Sequence, residues 1–321
     1  MRPQISLKNA VFSMIFRDLG LFLWPHPRYA QEVLKKIAPL AWFGLILLSL
    51  VTIATTAFAL FLVLTPDGKD LEGCLKTTMF QVDLCPKKQS YVKIGQISPF
   101  LKNAIIVSED AAFWDHHGID WVELQNSFET NLKKGRMARG GSTITQQLAK
   151  NVYLSADKSL VRKFREAIIA LRLERLYKKE FILEKYLNVV EFAPGIYGVK
   201  AASQHYFQVP PNELNIGQSA WLAFLLPNPE KYSVSFKKKK LTPFAQRQMR
   251  TIVDRLHRFK RISDDQRLSG YHQIANLFGS GTGDIPIDLT LENSPEWDGE
   301  PPIDDQPTAP PPNDETSEDE Q

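Results

Sequence analysis

The chain has 321 residues, with 39 Lys/Arg against 36 Asp/Glu and a formal net charge of +3. Its two ends are not built like a globular domain: residues 1–64 hold a basic stretch and a long apolar run, while residues 284–321 hold 13 acids, 8 prolines and no Lys or Arg. The 219 residues between them suit one domain with a full core and leave no room for a second catalytic domain. Without its acidic tail the chain carries about +16, which favours anionic partners such as phosphates, acidic lipid or nucleic acid without choosing among them.

Residues 1–36 form a basic segment containing Arg2, Lys8, Arg17, Arg28, Lys35 and Lys36. From Ile37 to Leu64 no residue is charged. At 1.5 Å per residue, the stretch Leu40–Leu64 exceeds the roughly 30 Å hydrocarbon core of a bilayer, so 37–64 is predicted to be a transmembrane helix. Asp67, Asp70 and Glu72 follow it, with only Lys69 and Lys76 opposing them. The excess of cations ahead of the span puts the N-terminus in the cytoplasm and everything after residue 65 outside. A cleaved signal peptide is the alternative, and Ala57-Phe58-Ala59 imitates a cleavage site; but the apolar run continues through Leu60–Leu64 and 36 residues precede it, which favours a retained anchor. This topology excludes nucleic acid as a partner.

Residues 65–96 mix Gly, Pro, Lys and Asp without periodicity and read as an extracytoplasmic connector. The two cysteines, Cys74 and Cys85, fall there, where an oxidising compartment permits a disulfide; two free thiols remain the other reading. Residues 97–278 are patterned mostly as helices, with Gly and Pro gathered near 140–141, 194–198 and 210–211. Residues 279–321 read as a Gly-rich linker, Gly279-Ser-Gly-Thr-Gly283, followed by an acidic Pro-rich tail too poor in apolar residues to order itself.

Three patches of the helical region carry chemistry. In the first, Glu109 has Ile105, Ile106, Ala112 and Phe113 at helical ±3 and ±4, and Asp110 has Ile106, Val107, Phe113 and Trp114. Adjacent acids in apolar surroundings tend toward the raised pKa of a general base, although a helix-end pair that caps or bridges elsewhere has the same spacing. In the second, Arg139-Gly-Gly-Ser-Thr-Ile-Thr-Gln-Gln-Leu-Ala-Lys150, two glycines free the backbone and Ser142 is a plausible N-cap. Thr143, Gln146, Gln147 and Lys150 then share one helix face with Arg139 nearby, a surface suited to a phosphate-bearing sugar; a merely solvated face would be richer in Glu and Lys. The third patch, Arg162-Lys163-Phe164-Arg165-Glu166, opens a helix to about Lys178 whose main apolar stripe is Leu160, Phe164, Ala167, Ile168 and Leu171. Glu166 lies roughly opposite among Ile169, Ala170 and Leu173, and needs a cleft or a partner such as Arg162 at i−4. Two acids on separate helices with cations between them fit glycosyl transfer.

These residues resemble a known family. Glu109-Asp110-x-x-Phe113-x-x-His116-x-Gly118, Gly140-Gly141-Ser142-Thr143-Ile144-Thr145-Gln146-Gln147, Arg162-Lys163-x-x-Glu166, Ile182-Leu183-Glu184-x-Tyr186-Leu187-Asn188 and Ala220–Pro229 resemble, in order, the motifs of the peptidoglycan glycosyltransferases of family 51. The resemblance implies a mainly α, lysozyme-like, two-lobed domain behind an N-terminal transmembrane helix in the bacterial cytoplasmic membrane. It implies polymerisation of lipid II into glycan strands, with inversion and release of undecaprenyl diphosphate. By the same resemblance Glu109 is the base, and Glu166 assists the leaving group directly or through a divalent cation (Mg2+ or Mn2+), no metal ligand set being certain. Lys150, Arg139, Arg162 and Lys163 would contact phosphates; Ser142, Thr143, Gln146 and Gln147 would shape the sugar subsites; Asp110 and Phe113 would support Glu109. The implied partners are lipid II, the growing glycan strand, membrane lipid and other cell-wall synthesis proteins. Ala193 and Gln218 depart from the family pattern, where Gly and Glu are more usual.

Ser90…Lys93 and Ser155…Lys158 fit the Ser-x-x-Lys of a penicillin-binding domain, but no Lys-Thr-Gly follows, so a stand-alone glycosyltransferase is expected. The basic run Lys237–Lys240, with Arg247, Arg250, Arg255, Arg258, Lys260 and Arg261 after it, is a solvated face or a contact for anionic headgroups. A glycan-cleaving enzyme and a catalytically idle scaffold are the competing readings of the whole chain.

Overall fold

In the computed structural model, which describes residues 27–135, 140–157 and 159–278, Pro27–Leu64 is a single helix, α1. It starts ten residues before the apolar run and is long and apolar enough to cross a membrane. Side chains from Trp42 to Leu64 face outward almost throughout. Three of its hydroxyls bond back along the helix, Ser49 to the Ile46 carbonyl and Thr52 to that of Leu48 at 2.8 Å and Thr55 to that of Thr52 at 3.0 Å, which satisfies these polar groups in an apolar surrounding.

The second unit begins at Thr65. Here the structure differs from the sequence expectation of a loose connector over 65–96. Arg172 donates to the Thr65 and Pro66 carbonyls at 2.5 and 3.0 Å, and the Tyr177 hydroxyl donates to the carbonyl of Gly68 at 2.9 Å. Strands β1 (Leu75–Lys76) and β2 (Asp83–Leu84) pair antiparallel, and a Cys74–Cys85 disulfide closes the hairpin beside them. Leu71, Leu84, Val92 and Ile97 enter the core. The segment has no sequence period because its order comes from long-range hydrogen bonds and one cross-link rather than from a repeating local structure.

Helix α2 (Pro99–Glu109) is capped by Ser98 and packs on α8 (Ile216–Leu225) and α11 (Pro243–Arg258). Every residue of α8 but Gln218 is buried, which makes it the centre of this group; α12 (Asp264–Ala275) closes over it. Gln218 forms a reciprocal capping box with Asn215, the part that Glu would also play, so this departure from the family pattern keeps its local function. A second group places α4 (Ile144–Tyr153) against α5 (Leu160–Leu176) and α6 (Lys179–Val189). Between these groups in sequence lie α3 (Trp121–Lys134), the short β3–β4 hairpin (Glu191–Ala193 and Ile196–Tyr197) and α7 (Val199–Phe207), and the single turns α9 (Pro229–Tyr232) and α10 (Val234–Lys237) follow α8. The β1–β2 turn docks on the C-terminal end of α4, where Thr78 and Met79 donate to the Val152 and Asn151 carbonyls. Those carbonyls have no partner within their own helix, so the hairpin completes it. The domain is mainly α, as its periodicity predicts.

Candidate active site

Helix α2 ends at Glu109 because Asp110 leaves helical geometry, with φ −161° and ψ 73°. The Asp110 carboxylate then accepts from the backbone N–H of Ile144 at 2.9 Å, at the first turn of α4, and from His116 Nε2 at 2.9 Å. His116 Nδ1 accepts from the Gly118 N–H at 3.1 Å, which assigns the ring proton to Nε2. Gly118 has φ +93°, and a Cβ there would lie 3.1 Å from the Ala170 backbone, so only glycine lets this turn approach α5. Its carbonyl accepts from the Thr143 hydroxyl at 2.7 Å.

The start of α4 differs by one residue from the sequence expectation. Thr143, not Ser142, is the N-cap, in a capping box with Gln146. Nor is the Ile144 N–H open to a ligand anion, because Asp110 occupies it. Ser142 lies just outside the helix and accepts from Lys163 Nζ at 2.7 Å. Gly141 permits the approach of α3, since a Cβ there would meet Ser127 Oγ at 3.2 Å.

From this start α4 presents Gln147 and Lys150 along one face. Gln147 donates from Nε2 to Glu109 Oε2 at 2.8 Å, and its Oε1 accepts from the Tyr186 hydroxyl at 2.9 Å. Burial, reinforced by Glu109 and Asp110, pushes the Tyr186 hydroxyl well above its ordinary pKa and keeps it a donor. Burial also raises the pKa of Glu109; the Gln147 amide and Lys150 work against that rise and the Asp110 charge adds to it. Lys150 is partly buried, and desolvation lowers its pKa while the charges of Glu166 and Glu109 oppose the fall. Its ammonium therefore feels both acids.

Helix α5 supplies the third side. Glu166 is only 2% exposed and accepts from Lys163, its neighbour one turn earlier, rather than from the expected Arg162. Arg162 instead reaches the Ala156 carbonyl at 3.5 Å, though its charge still acts on Lys150. The helix is turned opposite to its main apolar stripe. Leu160 and Phe164 are 81% and 65% exposed, while the Glu166 side, with Ile169, Ala170 and Leu173, faces the core.

The structure thus brings Glu109, Gln147, Lys150, Lys163, Glu166 and Ser142 together. Asp110, Thr143 and Gln146 are buried in the scaffold beneath them, and Phe113 is fully buried with Lys179 Nζ 4.4 Å above its ring. Arg139 lies outside the described residues. Tyr186, His116 and Gly118, absent from the sequence-derived site, hold its members in place; their only sequence signal was membership of the motifs. Among the described residues no group of three or more His, Cys, Asp or Glu could hold a metal ion. Glu166 is met by a lysine, so these residues do not fit a protein-held divalent cation.

Two acids bracketing a cationic helix face are the groups that carboxylate-based glycosyl chemistry uses. The transglycosylase family model matches residues 76–257, and the chain belongs to that family, whose domain is lysozyme-like. Among its relatives, the biosynthetic peptidoglycan transglycosylase of Laribacter hongkongensis (strain HLHK9) is 46% identical over 166 residues, 51% of this chain and 73% of the relative. That of Janthinobacterium sp. (strain Marseille) is 52% identical over 145 residues, 45% and 63% of the two chains. That of Azoarcus sp. (strain BH72) is 48% identical over 149 residues, 46% and 64%. The matched part of this chain thus spans about two thirds of these relatives' own length.

Proposed function

We propose that this chain polymerises lipid II into β-1,4-linked glycan strands from the outer face of the bacterial cytoplasmic membrane, held by α1 with its N-terminus inside. Glycosyl transfer is the activity of its family, and the relatives' names supply the peptidoglycan substrate. The observation that carries the mechanism is geometric: Glu109 is held by Gln147 and Glu166 by Lys163 on either side of the α4 face that bears Lys150.

In this reading the Glu109 carboxylate takes the proton from the acceptor sugar's 4-hydroxyl as that oxygen attacks the donor's anomeric carbon. The bond from that carbon to the diphosphate breaks with its electron pair on the phosphate oxygen, and the anomeric centre inverts. Desolvation suits Glu109 to this, since a carboxylate of raised pKa is the stronger base. Gln147 fixes the direction in which its oxygens point. Lys150 and Lys163 lie where charge would gather on the departing diphosphate, and a partly dehydrated ammonium such as Lys150 interacts strongly with an anion. Glu166 holds Lys163 toward that position.

The substrate's lipid needs an apolar path. Support comes from α3, where Trp121, Val122, Phe128 and Leu132 are exposed, and from Leu160, Val161 and Phe164 on α5. These give the domain uncovered apolar faces that membrane lipid could contact.

The test is polymerisation of labelled lipid II by the detergent-solubilised chain, run beside Glu109→Gln and with isolated peptidoglycan as a second substrate. Long strands from the wild type and none from the variant are expected. Cleavage of peptidoglycan would reverse the direction of the reaction, and inertness toward both substrates would leave a scaffold.

A further inference from the structure

We propose that the cationic cavity at the turn between α11 and α12 is the docking site for the chain's own acidic segment, residues 284–321. This inference stands apart from the glycosyl-transfer reading, since none of its residues belongs to the site above. The cavity holds about 570 Å³ and is lined by His257, Arg258, Lys260, Arg261, Ile262, Ser263 and Gln266. His257 is engaged by Asp264 at 2.8 Å, and Asp265 adds a second acid in the first turn of α12. Among the described residues Arg258, Lys260 and Arg261 have no carboxylate partner, although all three are exposed.

The backbone of the turn holds these cations together. Arg261 N–H bonds to the Leu256 carbonyl and Lys260 N–H to that of His257, both at 2.8 Å. This is the double closure of a helix end that places one residue in the left-handed region, where glycine is preferred. Here that residue is Lys260, with φ +54°. The turn therefore carries an ammonium at a position where a residue without charge or side chain would be less strained.

Charge and reach select the occupant. Residues 284–321 hold 13 acids and no Lys or Arg, the strongest block of opposite charge in the chain. They follow α12, whose N-terminal end lines the cavity and whose twelve residues span about 18 Å. The ten residues from 279 to 288, which include Asp284 and Asp288, can extend to about 33 Å. The first acids of the segment can therefore return along α12 to the cavity without strain.

The experiment is zero-length carbodiimide coupling of the full chain in detergent, followed by mass spectrometry of carboxylate–lysine links. Links from residues 284–321 to Lys260 are expected to exceed those to the exposed Lys87 and Lys133 roughly tenfold, and to collapse in molar salt as screening shortens to about 3 Å. The variant Arg258→Glu/Arg261→Glu, checked for an unchanged thermal melt, should lose the preference for Lys260. Equal coupling to all three lysines, or a preference that survives both salt and the variant, overturns the proposal. Repeating the coupling in phosphatidylglycerol-containing nanodiscs separates the sources of negative charge. Retained links support the intramolecular partner; links lost there, with the detergent result intact, would assign the cavity to lipid headgroups instead.

Discussion

The Asp110 carboxylate accepts the Ile144 backbone N–H at 2.9 Å, so the residue after the proposed base caps the helix that presents Gln147 and Lys150. A charged acceptor at a helix start satisfies an orphan donor and meets the positive end of the helix dipole. The same carboxylate holds His116, and His116 holds the Gly118 turn that receives Thr143. Asp110→Ala would leave the Ile144 N–H and the His116 ring buried without an acceptor. The expected cost is about 2–4 kcal/mol of stability, from losing hydrogen bonds to a charged group and stranding their donors. Chemical denaturation of the variant measures it; a loss below half a kcal/mol would mean that α4 does not depend on this contact.

Tyr186 acts on Glu109 through Gln147. With its hydroxyl on Gln147 Oε1, the amide can only turn its NH2 toward Glu109. Tyr186→Phe frees that amide to rotate and should lower kcat about tenfold with KM little changed, an effect of misplacement rather than lost binding. Gln147→Ala should cost more. Steady-state kinetics on lipid II separates this from a structural defect, which would move the melting temperature along with the rate.

How much of this site could be read from the sequence depends on the range of each contact. Glu109, Gln147, Lys150 and Glu166 were legible because they stand at helical spacing inside ordered motifs. Ser142 and Thr143 are both good caps, and the structure chooses Thr143 through a bond to Gly118, 25 residues away, which local pattern does not carry. Residues 65–96 gave no helical or strand period, yet Asn188 pairs with Val92 through both its amide groups at 2.8 Å. Nothing local announces a contact across 96 residues.

The raised pKa of Glu109 carries a stability cost with a definite sign. A carboxyl group whose folded pKa lies above its unfolded value near 4.5 stabilises the fold only while protonated, so its contribution is full below that value and is lost as pH rises through the folded pKa. Glu109→Gln keeps the shape and removes the charge. The variant should melt higher than the wild type at pH 8 and show no advantage at pH 4. Melting curves across that range test this, and a variant less stable at pH 8 would contradict the desolvation of Glu109. Glycosyl transfer by the wild type should in turn fail on the acid side at a pH above the ordinary carboxylate range.

The Cys74–Cys85 disulfide closes a loop with a sequence separation of 11. Loop-closure entropy alone makes such a link worth about 3 kcal/mol. Replacing both cysteines with serine should lower stability by up to that amount. It should also loosen the hairpin that completes the end of α4, while leaving Glu109 and Glu166 untouched. Hydrogen exchange at Thr78 and Met79, whose N–H groups bond to α4, is the local readout. Faster exchange there with polymerisation retained is the expected pattern.

Helix α5 gives the most direct test of orientation, because its two faces make opposite forecasts. The sequence pattern makes Leu160, Phe164, Ala167, Ile168 and Leu171 the main apolar stripe, with Glu166 roughly opposite. The structure exposes Leu160 and Phe164 and buries Ile169, Ala170 and Leu173 instead. That orientation is what lets Glu166 meet Lys163 while remaining 2% exposed. Leu173→Ala should therefore cost about 2–5 kcal/mol through a core cavity. Phe164→Ser should change stability by about half a kcal/mol or less, as exposed substitutions do. If the outward stripe meets lipid, Phe164→Ser will also raise the KM for membrane-embedded lipid II without moving the melting temperature. Equal destabilisation by the two variants would mean that α5 is turned the other way and that Glu166 faces away from the site.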